Sequence, residues 1–200
     1  MTVDLPYVRI DNLFNDRDLK LIDADMNEME ELYKPLYFQE TQVYRVRLDE
    51  VYTGTRRSES AILQLIQKNL YSEETIAKLK GYNDLAYELY SIPHSFNTTV
   101  SQMRESQEYR WHKDISFNSN LWAFMSFMWY ANDDFKGGEL LIDDGIKKHI
   151  IKPQRNMLIL MPAYYLHKVN RPVYEGQLGE DFNWRTTING FMNCTGATFG

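Results

Sequence analysis

The chain has 200 residues, 44% of them apolar and 25% charged, with ten Gly, six Pro and one Cys. That can bury one ordinary core, and it excludes collagenous, low-complexity and disulfide-stapled chains. A net charge of −6 gives no whole-molecule attraction to phosphates, and Cys194 alone makes no internal disulfide.

Residues 1–10 lack the basic-then-apolar pattern of a signal peptide, and the apolar run 121–131 is too short to cross a bilayer. The expectation is a cytoplasmic chain with neither a membrane nor a nucleic-acid partner. Arg56-Arg57 and Lys147-Lys148 read as solvated surface.

To about residue 93 the chain reads as helical. Asn15 or Asp16 can cap a helix whose apolar stripe is Leu19, Ile22, Met26, Met29 and Leu32, with Asp23, Glu28, Glu30 and Glu31 on the solvated side. Residues 43–48 alternate weakly, as a strand does. Ser58 precedes Ile62, Leu63, Leu65, Ile66 and Leu70, a second amphipathic helix. Ser72 opens another, through Thr75 and Leu79 to Gly81. Asn83 can cap a last short one through Leu89, and Pro93 closes the region.

Beyond Pro93 the period shifts to two. Strand-like segments fall at 98–104, 109–115, 121–130, 139–142, 149–152, 157–161, 165–169 and 185–192, rich in β-branched and aromatic residues. Turn signals separate them, among them Gly137-Gly138, where a tight turn leaves no room for a side chain. About eight closely spaced strands predict a double-sheet jelly roll or barrel. The fold class is α+β: a single domain over 1–200, with a helical buttress at about 1–93 and a β core at about 94–200.

Histidine is scarce: His94, His112, His149 and His167. In His112-Lys113-Asp114, strand alternation puts His112 and Asp114 on one face, where an imidazole and a carboxylate can chelate a divalent ion. His167, in a later strand-like segment, is the natural third ligand. Two His and one carboxylate leave three octahedral positions open, which suits Fe(II) that must take O2 and a bidentate organic acid. Downstream, Arg185 and Thr187 share a strand face. A buried guanidinium beside a hydroxyl is a carboxylate receptor; the alternative is a surface Arg pairing with Glu180 or Asp181.

Four segments taken in order resemble the Fe(II)- and 2-oxoglutarate-dependent oxygenases, in their prolyl 4-hydroxylase-like branch. Tyr109-Arg110-Trp111-His112-Lys113-Asp114 is similar to the family's aromatic-x-x-H-x-D strand. Trp129-Tyr130-Ala131-Asn132 through Phe135-Lys136-Gly137-Gly138-Glu139-Leu140 is similar to its F-x-G-G-E-L segment. Leu166-His167-Lys168-Val169, after the prolines 153 and 162, resembles the run to the distal His, and Arg185-Thr186-Thr187-Ile188-Asn189-Gly190-Phe191 its closing Arg-x-Ser/Thr strand.

The resemblance implies a double-stranded β-helix, with His112, Asp114 and His167 as Fe(II) ligands. It implies Arg185 on the distal carboxylate of 2-oxoglutarate, with Thr187 assisting. The implied cofactors are Fe(II), 2-oxoglutarate as cosubstrate and O2, with ascorbate admitted as an accessory. The implied reaction hydroxylates a C–H bond, first of all of a prolyl residue in a peptide or protein, and releases succinate and CO2. The alternatives are a small-molecule or free amino-acid hydroxylase of the same chemistry, a non-enzymatic metal- or ligand-binding jelly-roll module, and a lapsed oxygenase that keeps its metal. The sequence does not disclose oligomeric state.

Two departures stand out. The spacing from His167 to Arg185 is longer than the family's usual one, which makes residues 175–181 a lengthened acidic loop and leaves Arg171 as a rival to Arg185. Many members carry a Tyr ten residues before the first His, where this chain has Gln102. Gln102 itself, Tyr109, Trp129 and Tyr130 are the candidates for that anchoring role.

Overall fold

Alternating side chains along the long strands send one row toward a layer of helices and the next toward a second sheet. The structure, a computed structural model, describes residues 6–38, 41–82, 94–104, 108–115, 121–174 and 184–195. The first half holds β1 (Val8–Ile10), α1 (Asp16–Glu28), β2 (Lys34–Phe38), β3 (Thr41–Arg47), α2 (Leu48–Val51), α3 (Ala61–Leu70) and α4 (Glu73–Tyr82). The second half opens with β4 (His94–Met103), β5 (Tyr109–His112), β6 (Leu121–Tyr130), β7 (Lys136–Gly137) and β8 (Leu140–Asp143). Then come β9 (Lys148–Ile151), β10 (Leu158–Pro162), β11 (Leu166–Val169), β12 (Pro172–Val173) and β13 (Arg185–Thr195).

Among the described residues every strand pairing is antiparallel. The large sheet runs β1-β10-β6-β13-β4-β3-β2, a smaller one runs β5-β11-β8-β9, and β12 pairs with β7. Val100, Phe127, Trp129, Leu160 and Ile188 on the outer face of the large sheet pack against Ile22, Ile62 and Ile66 from the helices. Each such aliphatic side chain contributes about 1.5–3 kcal/mol by leaving water. Val43, Met103, Tyr130, Ile159 and Met161 on the inner face meet Leu140, Ile142, Ile151 and Val169 of the smaller sheet. The second interface is the one that matters for function.

Local signals explain the helix boundaries. The Asn15 side chain accepts from the Asp18 amide at 3.0 Å and caps α1. Ser60, not Ser58, caps α3, its hydroxyl accepting from the Leu63 amide. Buried Asp25 ties the two helices together, accepting from Ser60 Oγ at 2.8 Å and from the Ile62 amide at 2.9 Å.

The strand expected at 43–48 is present as β3, and the first half holds two more strands than expected, β1 and β2. α1 ends at Glu28, so Leu32 falls in a following 3-10 turn and is exposed. β1, β2 and β3 all enter the large sheet, β1 at one edge and β2-β3 beside β4. Lys34-Pro35-Leu36 carries too little alternation to announce a strand; pairing with β3 makes it one. α4 runs through Gly81 to Tyr82, and the short helix expected from Asn83 lies outside the described residues. In the second half each expected strand is present, with β6 at the expected bounds.

Candidate active site

β5 and β11 pair so that His112 stands directly opposite His167. Asp114 lies just past the end of β5, its amide donating to the Ala163 carbonyl at 3.0 Å. His112 Nε2 is 3.5 Å from Asp114 Oδ1, and His167 Nε2 is 3.4 Å from Asp114 Oδ2. Each imidazole turns its Nδ1 to a backbone carbonyl, His112 to Arg110 at 2.8 Å and His167 to Tyr165 at 3.0 Å. A carbonyl only accepts, so Nδ1 carries the proton and the Nε2 lone pair faces Asp114. Burial first, then the facing His167, hold the His112 pKa below the ordinary imidazole value, which favours the neutral, ligating form. Ser126 Oγ donates to Asp114 Oδ2 at 2.7 Å and orients the carboxylate.

These donors fit a first-row divalent ion. Bonds of about 2.1 Å separate cis ligand atoms by roughly 3 Å, so the set closes on an ion with shifts under an ångström. All three ligand atoms lie within 4.8 Å of one another. Two imidazoles and one carboxylate on one side leave the other side open, the pattern of non-heme Fe(II) sites.

The triad lines a cavity of about 290 Å³ between the two sheets. Arg185, at the start of β13, is 2% exposed and also lines it. Its Nε donates to the Gly138 carbonyl at 3.2 Å, and its two Nη atoms approach Met103 Sδ at 3.7 Å and Met128 Sδ at 3.6 Å. The guanidinium also stacks over the Tyr130 ring, 5.3 Å from its centroid. Among the described residues no carboxylate reaches it. A buried guanidinium set among thioethers and a ring calls for an anion, and the cavity it lines offers one a place.

The other expected site residues divide. Thr187 lines the cavity one step on from Arg185, and Tyr109 lines it from β5. Tyr130 is fully buried and supports Arg185 from behind. Gln102 is a correction: strand alternation turns it to the sheet face opposite Ser101 and Met103, where its Oε1 accepts from Arg104 Nε at 2.8 Å. Arg171 is exposed and offers only its carbonyl, which accepts from the Gly138 amide. His149 belongs to a hairpin, 2.6 Å from Asp144, away from the triad. The acidic loop 175–181 lies outside the described residues.

Residue-by-residue reading missed three contributors. Ser126 interrupts an otherwise apolar strand, which was its one signal. Tyr174 clamps the start of β13, its hydroxyl accepting from the Arg185 amide at 3.1 Å and donating to the Met103 carbonyl. Arg45, on β3, enters the cavity from the half of the chain that reads as helical.

A family model described as the 2OG-Fe(II) oxygenase superfamily matches residues 98–193. That stretch holds the triad and Arg185. Residues 98–193 are thus similar to 2OG-Fe(II) oxygenase domains. That family uses Fe(II), 2-oxoglutarate and O2, and the triad, together with an Arg185 that meets no carboxylate among the described residues, fits the first two. A PKHD-type hydroxylase from Idiomarina loihiensis is 28% identical over 88 residues, covering 43% of this chain and 40% of the relative. The chain spans about half or less of the curated relatives it matches. Among solved structures, a Pseudomonas putida prolyl-4-hydroxylase superposes with a TM-score of 0.64 at 14% identity, over 96% of this chain and 94% of that one. A Trichoplax adhaerens prolyl hydroxylase, in complex with a hypoxia-inducible-factor peptide fragment, superposes with 0.66 at 11% identity, over 94% and 83%. This chain shares their fold.

Proposed function

We propose that this protein is an Fe(II)- and 2-oxoglutarate-dependent dioxygenase that hydroxylates an aliphatic C–H bond. One observation carries the reading: His112, Asp114 and His167 converge in the same cavity as a buried Arg185 that meets no carboxylate among the described residues. Its two facing sheets are read as the double-stranded β-helix, and residues 1–200 as one domain, since one core cluster runs from Val8 to Met192. A single cysteine agrees with a reducing, cytoplasmic setting; among the described residues, no helix is long and apolar enough to cross a membrane.

Bound Fe(II), with 2-oxoglutarate and O2, supplies the oxidant that turns C–H into C–OH, the cosubstrate leaving as succinate and CO2. The chain's own work is positional. His112 and His167 offer Nε2, each fixed by a carbonyl on Nδ1, and Ser126 sets the Asp114 carboxylate. Arg185 grips the distal carboxylate of 2-oxoglutarate with Thr187 beside it, and Tyr130 backs the guanidinium. Apolar walls from Val43, Leu140, Ile159 and Met161 keep water from the reacting centre.

The fold shared with prolyl hydroxylases supports a prolyl residue in a peptide or protein as the substrate. The test is succinate formation from 2-oxoglutarate in air with Fe(II), with and without prolyl peptides, read by mass spectrometry for an added oxygen. Fe(II)-dependent succinate that disappears in His167→Ala is expected. Turnover indifferent to chelator, or intact in His167→Ala, overturns the reading.

A further inference from the structure

A second guanidinium faces the cavity. Val43, Arg45 and Arg47 of β3 line it, while Tyr44 and Val46 turn away. Arg45 Nη2 donates to the Tyr109 hydroxyl, and the Tyr109 ring lies 5.9 Å from that of His112. Arg45 therefore stands one side chain from the metal triad. Its Nε is buried and bonded to nothing, and among the described residues no carboxylate pairs with it.

Its cross-strand partner is Ser101, which is 6% exposed, lines the same cavity, and also has a buried hydroxyl with no hydrogen-bond partner. Buried polar atoms are nearly always satisfied, so two orphaned donors side by side on a cavity wall indicate an acceptor that enters from outside. The neighbouring charges are already engaged: Arg47 with Glu50 at 2.7 Å, and Asp49 with Arg57 at 2.8 Å. One guanidinium with an unsatisfied Nε and one hydroxyl match a monoanion.

This anion is not the one at Arg185. Ser101 pairs with Thr187, two residues past Arg185. Two strand spacings across and two residues along place the Arg45 and Arg185 Cα atoms roughly 12 Å apart. The Arg185 head group is enclosed by Gly138, Met103, Met128 and Tyr130, whereas Arg45 reaches in on the Tyr109 side.

We propose that Arg45 and Ser101 bind a carboxylate of the primary substrate and make the enzyme selective for acids over their neutral amides. The proposal rests on the oxygenase reading only in calling that carboxylate a substrate's. For prolyl compounds it has two sources, a free C-terminal carboxylate or an acidic side chain beside the proline.

The test uses the full chain with Fe(II) and 2-oxoglutarate. The probes are the twenty L-amino acids, their carboxamides, and acetyl-capped, amidated prolyl peptides with Glu or Gln beside the proline. Substrate-stimulated succinate formation and thermal shift are both recorded. Acids, or Glu peptides, are expected to exceed their neutral counterparts by on the order of tenfold or more. Which pair discriminates identifies the source. In Arg45→Gln that ratio should fall toward one, Arg45→Lys should keep part of it, and Ser101→Ala should reduce it. A ratio near one in the wild type, a ratio unchanged in Arg45→Gln, or no response to any probe overturns the proposal. Acid-selective thermal shifts that depend on Arg45, without any Fe(II)-dependent succinate, would uphold the receptor and sink the oxygenase reading instead.

Discussion

His112 and His167 are direct cross-strand partners in the β5–β11 pairing, their ring centroids 4.3 Å apart. One hydrogen-bonded ladder thus sets the distance between two candidate ligands far apart in the chain, and the third candidate follows two residues after the first.

Metal should stabilise the native protein alone, because the unfolded chain does not assemble the triad. An ion at a hundred times its Kd adds about 2.7 kcal/mol. Mn(II) should raise the melting temperature, EDTA should reverse the rise, and His167→Ala should abolish it. A variant that keeps the full Mn(II) shift removes His167 from the ligand set.

Arg185→Met should act in opposite directions on cosubstrate and fold. Losing the charged hydrogen bonds, about 1.5–3 kcal/mol each, should raise half-saturation by 2-oxoglutarate roughly tenfold or more. Removing a buried charge that no described carboxylate neutralises should leave the ligand-free protein no less stable. Titration of 2-oxoglutarate beside a urea unfolding curve measures both; unchanged half-saturation contradicts the assignment.

Gly138→Ala should damage the same function from a distance. Gly138 has φ +69°, and an added Cβ would lie 2.8 Å from Phe135 Cε2 and 3.0 Å from Arg185 Cδ. A loss of about 1–3 kcal/mol is expected, with weaker 2-oxoglutarate binding. Gly145→Ala is the control: φ +85° but open space, so backbone strain of about 1–2 kcal/mol and no effect on the cosubstrate. Equal effects on cosubstrate binding would refute the steric link.

Asp144 sets an acid limit in the β8–β9 hairpin. The Lys147 amide first, then the His149 side chain and the Ile146 amide, hold its carboxyl down at about 2. A carboxylate with a depressed native pKa stabilises fully above its unfolded value, near 4, and loses that contribution as pH falls toward the native one. The melting-temperature gap between wild type and Asp144→Asn should therefore be full from pH 7 to about 5, shrink as pH falls further, and vanish only below about pH 2. A gap independent of pH would show that the charge contributes nothing.

Much of the candidate site's arrangement was readable because its residues sit in short, rigid patterns. His112 and Asp114 are two residues apart, Arg185 and Thr187 likewise, and alternation alone assigns each pair to a face. Gln102 failed by the same logic: its distance from His112 matched a family position, but the strand's pleat turned it outward. Arg45 and Tyr174 were invisible for another reason. Each reaches the site through long-range pairing, Arg45 through a strand that joins the large sheet only by lying against β4. The helices were legible from caps and stripes, whereas β1 and β2 have no local alternation strong enough to announce them.

β13 lies between β6 and β4, though both precede it in the chain. Until residues 185–195 leave the ribosome, those two long strands each present an unsatisfied edge, and the Arg185 port does not exist. Synthesis therefore passes through a stage prone to mispairing between nascent chains, and β13, on arriving, both seals the sheet and completes the cavity wall.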